Sequence, residues 1–235
     1  MAHLLLYHEP MRPYRIQQSE YAYHVTTRTN GQRFQLTRST YRLVTQLLNE
    51  MTKRFRVMIH HVQLMSNHYH LVISTPEANL SAAMCFLNGR LALHINRHQG
   101  TRGHLWEKRF HATILENDDY AATCIRYVYH NPVRAGVCVQ PEDAPFLSSF
   151  AFYAQGRRIP IQVTADGFYI AMGSGAEERQ RNFCEFLHVA PGFQEFQRVG
   201  RAVRRLFYGS AAFLQRMRER YAFELRLTRP AMASL

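Results

Sequence analysis

Residues 57–74 read VMIHHVQLMSNHYHLVIS, two runs rich in apolar and β-branched residues with two polar residues between them. This pattern predicts two antiparallel strands, 57–65 and 68–74, joined by a tight hairpin. Because side chains alternate along a strand, His68 and His70 point to the same face of the sheet. Two imidazoles on one face can share a metal ion. The chain has thirteen histidines, so the same spacing also fits a chance pair.

Outward from the hairpin, strands and helices are predicted in alternation. Aromatic and β-branched residues predict a strand at 21–28, and a shorter strand follows at 110–115. Apolar residues at helical spacing predict one helix from Tyr41 onward and a second between Asn79, a candidate N-cap, and Gly100. The resulting order, β-α-β-β-α-β, is the split β-α-β plan of ferredoxin-like folds.

The fold class predicted from this order is α+β, with an antiparallel sheet, helices on one face of it and a C-terminal helical extension. The chain divides into an N-terminal arm at 1–20, a main domain at 21–155 and a basic, mainly helical extension at 156–235. Two interpretations of the extension are open: a helical cap packed on the sheet, or an accessory element that grips DNA.

Charge and composition favour a nucleic-acid partner. The formal net charge is +12, and arginine, which supplies most of it, suits contacts with phosphate and guanine, although a GC-rich genome would also enrich arginine. The four cysteines form no C-x-x-C pair, which fits a reducing bacterial cytoplasm rather than a disulfide framework. No apolar run reaches the roughly 20 residues of a membrane-spanning helix, so no membrane partner is expected.

A third helix is predicted to start near 117–119 and to end at or before Asn131, because Pro132 disfavours helical geometry in the residue before it. Residues four apart are neighbours on a helix, so Tyr127 and Asn131 can converge on one point. Tyr120 shares that face but lies about 16 Å from Asn131 along the axis. Geometry therefore favours Tyr127 as a nucleophile and the Asn131 amide oxygen as a third metal ligand. Ordinary amphipathic packing is the structural alternative.

His94 and His98 form a rival metal pair, since residues four apart on a helix can also bind an ion. A metalloprotease motif would need a glutamate directly after the first histidine, but Ile95 stands there. Solvated helix histidines are therefore the preferred interpretation of this pair.

Four sequence blocks occur in an order and at distances that are typical of one family. They are Tyr23-His24-Val25-Thr26 with Arg28, Met65-Ser66-Asn67-His68-Tyr69-His70-Leu71, Leu105-Trp106-Glu107-Lys108-Arg109-Phe110, and Tyr127-x-x-x-Asn131-Pro132-Val133-Arg134-Ala135-Gly136. Over about residues 20–155 the chain resembles the single-tyrosine HUH transposases of the IS200-like superfamily. Within them it is most similar to the REP-associated tyrosine transposases.

The resemblance implies a metal-dependent DNA transposase that cleaves single-stranded, hairpin-forming DNA through a 5′-phosphotyrosine intermediate. Tyr127 matches the nucleophile of the family. His68 and His70 match its metal pair, although Tyr69 is less hydrophobic than the usual middle residue. Asn131 matches the third ligand, a position that varies across the wider group. The expected cofactor is a divalent metal, Mg²⁺ or Mn²⁺.

DNA contacts are expected from basic residues beside the matched blocks, namely Arg28, Lys108, Arg109, His111 and Arg134. Each of them could equally be a solvated surface cation. Trp106 could stack on a base, but a lone tryptophan at such a position is more often core. The resemblance leaves open whether the site forms within one chain or in a homodimer, where Tyr127 would serve the histidines of its partner.

Two other functions fit the same residues. A binding module derived from a transposase would bind DNA or RNA without a metal and would be indifferent to changes at Tyr127. A metal-dependent phosphodiesterase that uses water as nucleophile would leave free product ends and no protein adduct. The presence of both histidines, the tyrosine and the asparagine in one chain favours the transposase.

Overall fold

The computed structural model describes residues 15–116, 119–203 and 205–227. Its strands are β1 (Tyr23–Arg28), β2 (Met58–Leu64), β3 (His68–Ser74), β4 (His111–Leu115) and β5 (Phe207–Tyr208). Its helices are α1 (Arg38–Phe55), α2 (Leu80–Gln99), α3 (Asp119–Tyr129), α4 (Asn131–Arg134), α5 (Phe150–Gln155), α6 (Gly167–Ile170), α7 (Ala176–His188), α8 (Phe193–Ala202), α9 (Ala211–Arg220) and α10 (Ala222–Leu227). Most of the predicted arm at 1–20 and the predicted helix start at 117–118 lie outside the described residues.

The strands form one sheet in the order β2-β3-β1-β4-β5. β1 pairs antiparallel with β3 and β4, and β2 and β3 form the predicted hairpin. The Met65 amide closes this hairpin by donating to the His68 carbonyl at 2.8 Å. β5, from the C-terminal extension, joins β4 in parallel orientation. The predicted α+β class is confirmed, and the first four strands have the split β-α-β order.

One face of the sheet packs against α1 and α2. Tyr69 and Leu71 of β3 point to this face and lie in the main hydrophobic core. As predicted, α2 ends at Gly100, whose φ of 62° is the left-handed conformation that closes many helices. Asn79 holds the N-cap position of α2, but its side chain makes no cap hydrogen bond and donates instead to the Phe55 carbonyl at 2.9 Å.

The opposite face of the sheet packs against α3 and α8. Val72 of β3 lies in a separate core with Cys124 and Val128 of α3 and with Val199 of α8. Helices therefore cover both faces, and the expectation that they would lie on one face is wrong. Alternation along a strand predicts which side chains share a face, but it does not identify the distant helix that will cover that face.

The C-terminal extension shares its hydrophobic cores with the main domain. Phe207, Phe213 and Met217 belong to the main core, while Phe183 packs with Ile125 of α3 in a further core. The extension thus packs on the main domain, whereas a grip on DNA and the domain boundary at 155/156 stay predictions. Within the described ranges, no helix is long and apolar enough to cross a bilayer.

Candidate active site

A cavity of about 540 Å³ lies where β1 ends and where β3 and β4 begin. Eight of the nine predicted site residues line it, namely Arg28, His68, His70, Lys108, Arg109, His111, Tyr127 and Asn131. Its remaining lining residues are His24, Thr26, Thr27, Gln32, Glu107, Phe110 and Val203. Residues from four separate sequence blocks therefore meet in one place.

The turn of the hairpin orients His68. Its Nδ1 atom lies 2.7 Å from the Asn67 Oδ1 atom, while the Asn67 amide nitrogen donates to the Gln32 carbonyl at 3.3 Å. An amide oxygen can only accept, so the proton of the neutral His68 ring belongs on Nδ1. The Nε2 atom then carries the free electron pair that a metal ligand needs.

His70 is buried two residues further along β3, and its ring lies 5.0 Å from the His68 ring. Its Nδ1 atom lies 2.9 Å from the Nε2 atom of His24 on β1, and the two rings stack at 5.1 Å with 15° between their planes. The His70 Nε2 atom is buried and makes no hydrogen bond of standard geometry. A buried polar atom without a partner is costly, which makes Nε2 of His70 a candidate ligand atom.

Burial keeps these imidazoles neutral. It lowers the pKa of His24 to about 3 and the pKa of His68 to about 4. Burial also holds the pKa of His70 well below its ordinary value, and the neighbouring His68 and His24 add to this effect. Neutral imidazole is the form that binds metal ions, so at neutral pH the pair is in its binding form.

Tyr127 lies on α3 beside the same histidines. Its ring centre is 5.8 Å from the His70 ring and 6.4 Å from the His24 ring, edge-on to both. On its other side, the Phe196 ring of α8 lies 4.6 Å away. A Cβ atom added at Gly200 would lie 3.3 Å from the Tyr127 ring, so α8 passes very close to it. The tyrosine thus stands next to the histidine pair of its own chain.

Asn131 begins α4, and only His130 separates it from the end of α3. Its amide nitrogen donates to the Tyr127 carbonyl at 2.7 Å, which ties the amide to the tyrosine one helical turn earlier. The Asn131 side chain also serves as a hydrogen-bond acceptor for His70, and this contact tends to raise the pKa of that ring. Two imidazole nitrogens and one amide oxygen are thus gathered at the cavity, a donor set that suits a divalent cation.

The predicted DNA contacts fall into two groups. Lys108 and Arg109 are exposed and line the cavity together with the half-buried Arg28 and His111. Arg134 is not among the lining residues. Its guanidinium lies 4.9 Å from the centre of the Phe196 ring, which also contacts Tyr127.

Two further predictions concern residues outside the cavity. His94 and His98 are exposed on α2, with their rings 5.1 Å apart, as expected of solvated helix histidines. Trp106 is half-buried and donates from Nε1 to the Asn88 carbonyl at 2.9 Å, which is the core role. In the described ranges, no group of three or more His, Cys, Asp or Glu side chains could hold a metal ion.

Some lining residues had no predicted role. His24 belongs to the first family block, and its position inside an otherwise apolar and β-branched strand was the available signal. Glu107 adds a carboxylate to the cavity lining, next to Lys108 and Arg109 in the sequence. Val203 comes from the C-terminal extension. The other lining residues lie at least about 70 positions earlier in the chain, and nothing in the sequence around Val203 connects it with them.

Comparison with known proteins finds similarity to transposases in sequence and in fold. Residues 17–131 match the family model described as IS200-like transposase. A REP-associated tyrosine transposase of Haemophilus influenzae is 22% identical over 123 residues, which are 45% of this chain and 70% of that protein. The fold is similar to that of a REP-associated tyrosine transposase solved bound to a REP hairpin, with a TM-score of 0.54 and 20% identity over 66% of this chain and 93% of the other. Over residues 17–131, just under half of its length, the chain is thus similar to the IS200-like transposases.

Proposed function

We propose that this protein is a transposase that cleaves and rejoins single-stranded DNA, with Tyr127 as the nucleophile. The observation that carries the proposal is the position of the Tyr127 ring, 5.8 Å from the His70 ring inside one cavity lined with basic side chains. Because Tyr127 stands beside the histidines of its own chain, one chain brings together the tyrosine and its metal ligands. Assembly into a homodimer stays a prediction.

We infer that His68, His70 and Asn131 hold a divalent metal, Mg²⁺ or Mn²⁺. The donor set supports this, since Nε2 of His70 is buried without a hydrogen bond of standard geometry and Nδ1 of His68 is engaged by Asn67. When bound, such an ion supplies positive charge that polarises the scissile phosphate and neutralises charge that develops on it.

The strand-cleavage step is a phosphoryl transfer to the tyrosine. The Tyr127 hydroxyl oxygen attacks the phosphorus, forms a new O–P bond and loses its proton to solvent. The P–O3′ bond breaks, and the 3′ oxygen leaves and takes up a proton as a free hydroxyl. The product is a 5′-phosphotyrosine, which preserves the phosphodiester energy, so that a second 3′-hydroxyl can displace Tyr127 and reseal the strand.

The DNA is proposed to reach the cavity as a single strand next to a folded hairpin. The basic lining, Arg28, Lys108, Arg109 and His111, suits the backbone of a strand. A single strand leaves one phosphate free to approach Tyr127, whereas duplex geometry would hold it against a second strand. The solved relative of similar fold is bound to a REP hairpin, which makes a hairpin the first substrate to test.

The test is covalent capture on a denaturing gel. The protein is incubated with end-labelled, single-stranded hairpins from the DNA that flanks its gene, with Mn²⁺ or with EDTA. We expect a labelled band at protein size that needs both the metal and Tyr127. Cleaved ends without this band would contradict the tyrosine and favour water as nucleophile. Specific binding of the hairpin without any cleavage would favour the non-catalytic binding module.

A further inference from the structure

His24 occupies a position where the sheet would ordinarily bury an apolar side chain. It lies on the central strand β1, opposite Val72 of β3 and Thr113 of β4, and it is 1% exposed. A buried imidazole destabilises the fold unless both of its nitrogen atoms find partners. Nε2 of His24 lies 2.9 Å from Nδ1 of His70, while Nδ1 of His24 is buried and makes no hydrogen bond of standard geometry. Simple packing does not explain such a residue.

We propose that His24 is a positioning residue of the metal site, whose Nε2 atom accepts the Nδ1 proton of His70 and so turns the free electron pair on Nε2 of His70 toward the cavity. This inference rests on the proposed function, because it assumes that His70 binds the ion. It adds a residue and a direction of hydrogen bonding to the pair of ligands.

The direction of the hydrogen bond follows from the chemistry of two neutral rings. One ring must donate and the other must accept, and each neutral imidazole carries a single proton. If His24 donated, the proton of His70 would sit on Nε2, and that atom could not bind a metal. If His70 donates, its Nε2 atom is free to bind. A second partner that orients a metal-binding histidine through its other nitrogen is a general feature of such sites.

The carbonyl of Val203 supports this direction. It acts on His24 as a hydrogen-bond acceptor and partly offsets the effect of burial on the pKa of that ring. Since Nε2 of His24 faces His70, Nδ1 is the nitrogen left to carry a proton toward Val203. The Thr113 hydroxyl lies 2.6 Å from the Val203 carbonyl oxygen and holds it in place. The C-terminal extension thus reaches the metal pair through Val203 and His24.

Ring stacking and the hydrogen bond together orient the His70 ring. The His24 and His70 planes are 15° apart, and both rings meet the Tyr127 ring edge-on, at 90° and 86°. Rotation of His70 away from the cavity would break the hydrogen bond and both ring contacts. His24 therefore limits the His70 ring to one orientation next to the nucleophile.

The first experiment measures Mn²⁺ affinity of the DNA-free, full-length protein by electron paramagnetic resonance. His24→Phe keeps a ring but removes the acceptor, and we expect about a 10- to 100-fold weaker Kd. His24→Gln can place its amide oxygen where Nε2 stood, and we expect it to bind within a few-fold of wild type. The matched control is His60→Phe, which replaces another buried β-strand histidine whose nitrogens contact Thr164 and Ser74. We expect its Mn²⁺ affinity to be unchanged.

The second measurement determines the tautomer of His70 directly, in metal-free protein with ¹⁵N-labelled histidine. We expect the proton on Nδ1 in wild type and in His24→Gln, and a shift toward Nε2 in His24→Phe. Wild-type Mn²⁺ affinity in folded His24→Phe would overturn the role of His24, and so would an Nε2 proton on His70 in the wild type. If His68→Ala and His70→Ala also keep full affinity, the proposed metal site itself fails. Loss of binding in these two variants alone would leave that site standing without His24.

Discussion

Two groups of side chains built around buried histidines lie on the same sheet and meet the same helix, but their hydrogen bonding differs. In the first, which we call the cavity cluster, His24, His68 and His70 face Tyr127. In the second, which we call the anchor cluster, His61 of β2 faces Tyr129 of α3 and Asp166 of the extension. The Nδ1 atom of His61 lies 2.9 Å from the Tyr129 hydroxyl, and the Nε2 atom of His61 lies 2.7 Å from Asp166 Oδ2.

The clusters differ in how many of their imidazole nitrogen atoms make hydrogen bonds. Both nitrogen atoms of His61 have partners, and its ring stacks on Tyr153 at 4.4 Å within a hydrophobic core. In the cavity cluster, Nε2 of His70 and Nδ1 of His24 are buried and make no hydrogen bond of standard geometry, next to a cavity that can admit a ligand. Identical residue types on neighbouring strands thus serve stability where their bonds are complete and can serve chemistry where they are not.

The largest expected effect separates the two tyrosines of α3. Tyr127→Phe should abolish the covalent DNA adduct and change the free energy of unfolding by less than about 1 kcal/mol, because its ring packing is retained. Tyr129→Phe should keep the adduct and lower the free energy of unfolding by roughly 1–3 kcal/mol. That loss is expected because the Tyr129 hydroxyl contacts both His61 and Ser149, which would lose their shared partner.

Adduct formation on a denaturing gel and urea unfolding, applied to both variants, check this pair. A residual adduct at wild-type level in Tyr127→Phe would remove Tyr127 as the nucleophile. If the folded Tyr129→Phe variant no longer formed the adduct, the two clusters would not be functionally separate.

The second prediction compares a cavity histidine with an anchor histidine. His70→Ala should weaken Mn²⁺ binding by more than the roughly 10- to 100-fold that is typical of an outer partner, since it removes a ligand. His61→Ala should leave Mn²⁺ affinity unchanged and lower the free energy of unfolding by about 3 kcal/mol, because it leaves the Oδ2 atom of the Asp166 carboxylate without its histidine partner.

Thermal unfolding with and without Mn²⁺ measures both effects in one experiment. A bound ion stabilises the folded state by mass action, so Mn²⁺ should raise the Tm of wild type and of His61→Ala, but not of His70→Ala. An equal rise in all three proteins would show that the ion binds elsewhere.

The sequence predicted His68, His70 and Tyr127 of the cavity cluster but gave His24 no role, and it did not separate this cluster from the anchor cluster. Strand alternation placed His68 and His70 on one face, and helical spacing placed Tyr127 near Asn131. His61, however, stands in an equally β-like run. What makes it structural is Asp166, which lies 105 residues later in the chain. A contact at that separation has no local signature in a single sequence.

The C-terminal extension shows the same limit on a larger scale. Its helical spacing was predictable, but its contribution to the site was not. β5 extends the sheet beside β4, Val203 lines the cavity, and Phe196 packs on Tyr127. All three depend on which face of the sheet α3 and α8 cover, and strand alternation does not decide that.

The third prediction uses pH to isolate the anchor cluster. Burial alone would raise the pKa of Asp166, but His61 beside it and the Tyr169 amide outweigh burial, so the pKa lies below its ordinary value. A carboxyl with a lowered folded-state pKa contributes stability that is fully present above its unfolded pKa, near 3.9. That stability is lost as the pH falls through the lower folded value.

The free energy of unfolding should therefore fall more steeply below about pH 4 in wild type than in Asp166→Asn. Above that pH the two profiles should run parallel, with the variant less stable. Urea unfolding at a series of pH values, in EDTA, provides both curves. Profiles that stay parallel down to pH 2 would mean that His61 does not lower the pKa of Asp166.

The smallest expected effect tests whether the extension matters to the cavity cluster at all. Gly200 of α8 faces Tyr127, and an added Cβ atom would lie 3.3 Å from the ring and 3.5 Å from its hydroxyl oxygen. Gly200→Ala should therefore displace the ring by a few tenths of an ångström. Since a shift of about 1 Å can cost 10²-fold in rate, we expect adduct formation to slow by a few-fold.

The matched control is Gly89→Ala in α2, where an added Cβ atom meets nothing within 4 Å. Alanine is favoured over glycine in a helix interior by about 1 kcal/mol, so Gly89→Ala should gain stability and keep its rate. Gly200→Ala has the same intrinsic gain, offset by the contact with Tyr127. Single-turnover adduct formation at saturating Mn²⁺ distinguishes the two variants. Equal rates would mean that α8 stabilises the fold without constraining the nucleophile, and the extension would then belong with the anchor cluster alone.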